Sequence, residues 1–281
     1  MKKAKRRWLI AGVIAFLIPA SLFIIDDNRL VVARYDVFSQ KLPDSFDGFK
    51  LIQVSDFHNQ GIEYSNANIV ETIVAEDPDV ILITGDFIDE LTGNFSKIST
   101  FLAGLDDYLI LYENGNHDIR SKKYEELLEL LADHGAIDVS GSRYELNQGG
   151  HRLSFIGVSQ EEVDDDWGML TINIDPVLAP HITPLLDDED DYRILLSHHP
   201  NFYSEAADLG MDLMLSGHYH GGHVRLFDWS PAAWIDEKFA GGQSRIEDME
   251  LIVSRGAGSG LFPIRINCPA EIVAITLKKA A

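Results

Sequence analysis

The chain has 281 residues, and 46% of them are hydrophobic, which is enough apolar material for a folded core. Its formal net charge is −22, and its only long basic cluster lies in the first seven residues. Residues 8–281 therefore carry 18 basic and 45 acidic side chains, a difference of −27. Because proteins bind nucleic-acid polymers by neutralising phosphates with Lys and Arg, this charge disfavours such a polymer as a partner.

The N-terminal segment predicts a membrane helix. Residues 8–25 form an uncharged run of 18 residues, close to the length that spans a bilayer. Basic residues precede this run and Asp26 and Asp27 follow it, a pattern that leaves the N-terminus in the cytoplasm. We therefore expect a basic segment and anchor over residues 1–27 and one folded domain over residues 28–281. The domain would lie outside the cell membrane on a single-pass protein. A cleaved signal peptide is the competing interpretation.

The remainder of the chain alternates strand-like and helix-like segments. Alternating β-branched residues predict an edge strand over residues 30–37, and Pro43 to Gly48 predicts a turn. Apolar spacing predicts helices over residues 66–76, 96–105, 123–134 and 203–209, a hairpin over 143–156, and final strands over 250–253 and 271–277. This order predicts an α/β fold with mixed sheets.

Five short apolar runs predict buried parallel strands, and residues that bind metal ions follow each of them. The runs cover residues 50–54, 80–84, 108–112, 193–196 and 213–215. The residues that follow are Ser55-Asp56-Phe57-His58, Gly85-Asp86, Gly115-Asn116-His117-Asp118, Ser197-His198-His199-Pro200 and Gly217-His218-Tyr219-His220. Sites in parallel sheets form beyond the carboxyl ends of the strands, so we expect these side chains to meet at one rim.

The distribution of histidines supports a metal site. Seven of the ten histidines lie at these strand ends or within a few residues of them, whereas His134, His151 and His181 fit structural roles. Oxygen and imidazole ligands suit Mn, Fe, Zn or Co, and a shared carboxylate permits two ions. The alternation of side chains in an extended segment turns Asp56 and His58 to the same side.

The ordered motifs D-x-H, G-D, G-N-H-D, H-x-P and G-H-x-H resemble the calcineurin-like metallophosphoesterase superfamily, from about residue 49 to the C-terminus. Two closing pieces, residues 253–256 and 262–265, look like its bacterial membrane-attached branch. The resemblance implies a four-layer α/β sandwich of two mixed sheets flanked by helices. It also implies two divalent ions, with Mn, Fe or Zn as candidates. The implied ligands are Asp56, His58 and His220 for the first ion, Asn116, His198 and His218 for the second, and Asp86 as the bridge.

The resemblance also implies a mechanism, in which a metal-bridging hydroxide attacks phosphorus. We expect His117 to act as general acid, because it adjoins Asn116 but is not needed among the ligands. By the family pattern, Asp118 orients and polarises His117. For Asn116 the alternative is a turn residue that caps Asp118.

Three residues are predicted to contact substrate. Asn59 and His223 depart from the family pattern, which more often has a small residue and a non-titrating residue at these positions. Arg255 could contact a second phosphate, although a solvent-facing arginine fits equally well. The segment after His223 is rich in large aromatic side chains, namely Phe227, Trp229, Trp234 and Phe239. It fits either a packed cap loop or an exposed wall that meets lipid or an acyl chain.

Together these features predict a membrane-anchored, two-metal phosphoesterase. We expect it to hydrolyse phosphodiester or pyrophosphate bonds, with diesters preferred over monoesters, in lipid-linked or cell-envelope substrates. One alternative is a phosphatase or cyclic nucleotide phosphodiesterase that acts on soluble substrates. Another is a metal-binding scaffold without activity, although none of the implied ligands is missing.

Overall fold

A computed structural model describes residues 28–59, 63–65, 67–163, 178–187, 192–227, 229–260 and 264–280. Its strands form two six-stranded sheets. The strands are β1 Leu30–Ser39, β2 Lys50–Val54, β3 Val80–Thr84, β4 Leu109–Glu113, β5 Ile137–Asp138, β6 Arg143–Gln148, β7 His151–Gly157, β8 Tyr192–Leu196, β9 Leu213–Ser216, β10 Gly242–Ile246, β11 Met249–Val253 and β12 Ala270–Lys279. The helices are α1 Ile69–Glu76, α2 Ser96–Ala103, α3 Asn116–Arg120, α4 Tyr124–Asp133, α5 Gln160–Val163, α6 Ala179–Ile182, α7 Tyr203–Asp208 and α8 Pro231–Ile235.

Both sheets are mixed, as predicted. The first has the order β1-β12-β2-β3-β4-β5, in which only the β12–β2 pair is antiparallel. The second has the order β10-β11-β9-β8-β7-β6, in which the outermost pair at each edge is antiparallel and the inner pairs are parallel. The edge position predicted for the first strand is confirmed, since β1 has one neighbour.

The alternation of side chains along the buried strands explains the layers. In β3, Val80 and Leu82 face the apolar cluster between the two sheets, whereas Ile81 and Ile83 face the cluster under α1, α2 and α4. In β8, Leu195 turns the other way and packs against Phe202 in the cluster that covers the outer face of the second sheet. The two sheets therefore lie face to face with helices outside, the four-layer arrangement that the resemblance implied.

Most elements predicted from periodicity are confirmed. All five apolar runs are strands, the hairpin is β6 and β7, and each predicted helix is present with its ends shifted by up to three residues. The short helices α3, α5, α6 and α8, of four or five residues each, were not predicted. A helix of five residues is little more than one turn, so it offers too few positions for a 3.6-residue pattern to be recognised.

The predicted location, a single-pass protein of the cell membrane with its domain outside, is contradicted and is not retained. No helix formed by the described residues is both long enough and apolar enough to cross a bilayer. The predicted span at residues 8–25 lies outside the described residues. The predicted domain boundary after residue 27 stays a prediction.

Candidate metal centre

The predicted rim forms where strand ends of the two sheets meet. Gln53 in β2 donates a buried hydrogen bond of 2.9 Å to the carbonyl of Ser216 at the end of β9. The amide of His198, just after β8, lies 3.2 Å from Oε1 of Glu113 at the end of β4. These contacts hold the ends of strands from different sheets against each other, so residues far apart in sequence become neighbours.

The first group of candidate ligands comprises Asp56, His58 and His220. Nε2 of His58 lies 3.1 Å from Nε2 of His220, which in turn lies 3.4 Å from Oδ1 of Asp56. All three residues are buried, and their ligand atoms lie within 4.8 Å of one another. Two imidazole nitrogens and a carboxylate oxygen that converge so closely are a donor set for a divalent transition metal.

Asp86 joins this group to a second one. Its Oδ2 lies 3.2 Å from Nε2 of His198 and 3.8 Å from Nε2 of His58, while its Oδ1 accepts a 2.8 Å hydrogen bond from the amide of His117. One carboxylate oxygen therefore faces imidazoles of both groups, as the implied bridging role requires. His198 also groups with His218 and with His199, whose ring lies 3.7 Å from that of His218 between centroids.

Among the buried polar atoms that have no hydrogen-bond partner in the described residues are two of predicted ligands, Oδ1 of Asn116 and Nδ1 of His218. Leaving a buried polar atom unsatisfied costs about 1–3 kcal/mol, so such atoms are expected where a ligand completes them. Asn116 begins α3. Its alternative role, that of a turn residue capping Asp118, is not seen, because the carboxylate of Asp118 accepts a hydrogen bond from the amide of Gly115 instead. These residues fit a site for two divalent ions.

The backbone at the strand ends is unusual. Five of the seven predicted ligands have φ between 50° and 72°, in the left-handed region: Asp56, His58, Asp86, His218 and His220. Residues with a Cβ are disfavoured there, and such strain accumulates mainly at functional sites. The chain thus turns sharply directly after β2, β3 and β9, and each turn presents a polar side chain to the centre.

Glycine is needed next to two of these ligands because the motifs touch. A Cβ at Gly85 would overlap the imidazole of His198, and a Cβ at Gly217 would overlap Oγ of Ser55 and Oδ2 of Asp56. The glycines of the G-D and G-H-x-H motifs therefore let one motif approach another.

Buried charges make the centre attractive to cations. Burial alone would raise the pKa of Asp86, but nearby imidazoles, above all His198, hold it well below its usual value. Burial lowers the pKa of His218 to about 3, assisted by the charge of His198. His218 is therefore neutral at pH 7, which is the form that binds metal. Burial opposes protonation of His198 too, yet Asp86, Asp56 and Glu113 raise its pKa to about 10.

His117 lies at the edge of the centre. Its side chain is 19% exposed and packs edge-on against the ring of His58, with 5.1 Å between centroids. The carboxylate of Asp118 accepts hydrogen bonds from the amides of Ile88 and Gly115, at 2.8 and 2.9 Å, and so joins the loops after β3 and β4. These bonds do not support the predicted polarisation of His117 by Asp118, and the roles of both residues stay predictions.

Asp89 is an acid that the sequence analysis missed. Its Oδ1 lies 2.8 Å from Nδ1 of His58 and 3.8 Å from Nδ1 of His117. Ligand imidazoles commonly use their second nitrogen in this way, which fixes the ring and its tautomer. The signal was present in the sequence, since Asp89 follows Asp86, the predicted bridge, by three residues, but an acid in a loop ordinarily indicates exposed surface.

Arg265 is a second missed residue. It is buried, and its guanidinium donates to the carbonyls of Arg255, Gly256 and Gly258, while Nη2 lies 3.3 Å from Nδ1 of His220. It therefore ties the loop after β11 to a predicted ligand. The resemblance included Arg265 in a closing motif but assigned it no role.

The three predicted substrate contacts lie in different surroundings. His223 is half-buried and stacks on His220 at 4.6 Å, and Asn59 donates a 2.9 Å hydrogen bond to the carbonyl of Asn94. Arg255 binds the buried carboxylate of Glu271 through its amide and through Nε, both at 2.7 Å. His223 thus adjoins the centre, and Arg255 is held in an ion pair. Substrate contact by any of the three stays a prediction.

The aromatic segment after His223 divides into two parts. Phe239 is 4% exposed and stacks on Tyr219, with 4.6 Å between centroids, whereas Phe227 and Trp234 are 87% and 83% exposed. Each of the two predicted alternatives therefore describes one part of the segment, a packed inner side and an exposed outer side.

Two mixed sheets that bring clustered histidines and carboxylates together at their joined strand ends define a metallophosphoesterase. The sequence matches the family described as Calcineurin-like phosphoesterase over residues 49–222, more than half of the chain, so the protein belongs to that family. It is a phosphoester hydrolase that uses two divalent metal ions.

The chain is similar over most of its length to bacterial relatives. It is 25% identical to the uncharacterized metallophosphoesterase YkuE of Bacillus subtilis, with 99% of each chain covered. It is 24% identical to phosphodiesterase YaeI of Escherichia coli, with 83% of this chain and 84% of the relative covered. Among solved structures, a dimetal phosphatase from Danio rerio matches with a TM-score of 0.47 and 14% identity, over 75% of this chain and 88% of that one.

We predict that Gly217→Ala disrupts the centre, because the added methyl group would overlap Ser55 and Asp56. Overpacking of this kind costs about 1–3 kcal/mol of folding free energy. Thermal unfolding and metal analysis of the purified variant measure the effect. Gly93→Ala is the matched control, since a Cβ there has no neighbour within 4 Å. Equal metal content and stability in the two variants would contradict the prediction.

We predict that Asp89→Asn weakens metal binding about 10- to 100-fold, because a neutral amide is a weaker acceptor than the carboxylate for Nδ1 of His58 and orients its ring less firmly. Titration against a competing chelator measures the affinity. Asp106→Asn is the control, since Asp106 makes a similar 2.8 Å contact with His134 away from the predicted ligands. If both variants keep wild-type affinity, Asp89 does not position His58.

Proposed function

We propose that this protein is a phosphodiesterase whose two divalent ions are held by the seven predicted ligands, with Asp86 shared between them. The observation that carries the proposal is the position of Asp86 Oδ2, which faces both His58 and His198. Mn, Fe and Zn are all suited to the nitrogen and oxygen donors at the centre. When bound, the ions supply positive charge that polarises a phosphoryl group and acidifies a water molecule.

The preference for diesters follows from charge. A phosphodiester carries one negative charge and a monoester up to two, and the chain that receives them has a net charge of −22. Two arginines near the centre are already engaged, Arg255 by Glu271 and Arg265 by backbone carbonyls. Positive charge for the substrate must then come mainly from the ions, which favours the ester with less charge. The name of the relative YaeI, a phosphodiesterase, agrees with this preference.

His117 is the proton donor in this proposal. Its ring packs against His58 at the rim, and it is partly exposed, so it can reach both a leaving oxygen and solvent. General acid catalysis of this kind contributes about 10²- to 10⁴-fold. Oδ1 of Asp89 lies 3.8 Å from Nδ1 of His117.

The first test of the proposal is metal-dependent hydrolysis. We expect bis-p-nitrophenyl phosphate to be hydrolysed after addition of Mn, and EDTA to abolish the activity reversibly. Because the diester carries less charge, we expect its kcat/KM to exceed that of p-nitrophenyl phosphate by about 10-fold or more, or roughly 1.4 kcal/mol. A protein that binds two ions but hydrolyses neither ester would support the scaffold alternative, and higher activity on the monoester would indicate a phosphatase.

The second test concerns His117→Ala. We expect the rate for a diester with an alkyl leaving group to fall about 10²- to 10⁴-fold, because the alkoxide must be protonated as it leaves. The rate for a p-nitrophenyl leaving group should fall much less, because this group leaves as an anion. Bound metal should stay at two ions, and His151→Ala, at an exposed histidine, serves as control. Equal losses on both substrates, or loss of metal, would contradict the assigned role.

A further inference from the structure

Large hydrophobic side chains are exposed next to the metal centre. Residues 226, 227 and 229–234, here called the aromatic loop, include Leu226, Phe227, Trp229 and Trp234, which are 41%, 87%, 52% and 83% exposed. Single exposed apolar residues are common and need no explanation, but four within nine residues are a concentration typical of a binding surface.

The backbone of the aromatic loop is held in place. Leu226 and Trp229 exchange two backbone hydrogen bonds, of 2.9 and 3.1 Å, which close a tight hairpin. Phe227 lies at its tip with φ of 58°, a left-handed conformation that is disfavoured for a bulky side chain. The loop thus tolerates local strain to present a phenyl ring to solvent, and strain of this kind is concentrated at functional positions.

The aromatic loop is also continuous with the metal centre. It begins three residues after His223, whose ring stacks on His220 at 4.6 Å. Its helix α8 packs against the turn after β9, since a Cβ at Gly222 would overlap the amide of Ala232. Phe239, just beyond the loop, stacks on Tyr219, the residue between His218 and His220. The exposed aromatic surface is therefore fixed to the turn that carries two predicted ligands.

We propose that the aromatic loop binds the apolar chain of an amphiphilic phosphodiester while the phosphate of that molecule occupies the metal centre. This inference rests on the proposed function and names the class of its substrate. Charge favours an amphiphile as the ligand of the aromatic loop over two other candidates, a second copy of the chain and a bilayer surface. A second copy of the chain and an anionic bilayer surface would both be repelled by a net charge of −22, whereas one amphiphile brings a single charge, which the bound ions neutralise. Tryptophan and phenylalanine also offer large apolar faces to an alkyl chain.

The kinetic test uses p-nitrophenyl alkyl phosphates with ethyl, butyl and octyl chains, each below its critical micelle concentration, and the full chain loaded with Mn. One fully buried methylene favours binding by a factor of about 4, so even partial burial of six more should lower KM by about 10-fold or more from ethyl to octyl. The Phe227→Ser variant should lose most of this chain-length dependence. Phe38→Ser is the matched control, because Phe38 is 57% exposed on edge strand β1. A KM that does not change with chain length in the wild-type protein would overturn the inference.

A binding test separates this inference from the proposed function. If the protein hydrolyses no diester, the proposed function fails, and binding of dodecylphosphocholine still tests the aromatic loop. Two of the four tryptophans of the chain lie in the loop and report binding by a blue shift of fluorescence. We expect a saturable shift with dodecylphosphocholine, none with phosphocholine, and a weaker one in Phe227→Ser than in Phe38→Ser. No shift in the wild-type protein would overturn the inference.

Two further measurements test the other candidate ligands of the aromatic loop, a membrane surface and a second copy of the chain. Sedimentation with phosphatidylcholine vesicles that depends on Phe227, without any effect of chain length on monomeric substrates, would assign the loop to a membrane surface. A dimer in analytical ultracentrifugation that dissociates in Phe227→Ser would assign it to a second copy of the chain. Either result would overturn the proposal. A monomer that shows the effect of chain length and does not sediment with vesicles would support it.

Discussion

The structure around the centre depends on one constraint, the burial of several carboxylates at the junction of two sheets. Asp56, Asp86, Glu113 and Asp118 are each at most 1% exposed. Desolvation of ionised carboxylates is costly unless opposite charge or hydrogen bonds compensate it. The burial of Glu113 raises its pKa well above the usual value, whereas the imidazoles around Asp86 hold the pKa of that carboxyl down. The ionised form is thus favoured at Asp86, which lies between the two groups of imidazoles.

The burial of these carboxylates accounts for local features that would otherwise only destabilise the fold. Left-handed backbone at five predicted ligands, glycines at Gly85 and Gly217, and a buried arginine at Arg265 all serve to bring loops from two sheets together. The rigid part is the apolar interior between the sheets, to which Leu82 of β3 and Leu196 of β8 both contribute. Since the strands are fixed by this interior, the strain in the turns can be maintained without disordering the side chains that they carry.

Much of this architecture could be predicted from the sequence because it depends on local patterns. Runs such as residues 80–84 indicate a buried strand wherever they occur, and Asp86 and His198 were found because each follows such a run. Asp89 and Arg265 could not be assigned roles in this way, since their importance arises from contacts with His58 and His220, which lie far away in sequence. Asp118 shows the reverse case. A resemblance supplied its role, but the described hydrogen bonds connect it to the amides of Ile88 and Gly115.

The aromatic segment after His223 shows why composition alone left two alternatives open. Its side chains are similar in kind, and no periodicity separates Phe239, which packs on Tyr219, from Phe227, which faces solvent. The difference is set by the backbone, because a hairpin between Leu226 and Trp229 projects one ring outward, whereas the segment that follows α8 turns the other inward. The inner ring packs against the turn with His218 and His220, and the outer rings are exposed. A centre suited to cations and an exposed apolar surface on the same loop are the two features that the proposed amphiphilic phosphodiester requires.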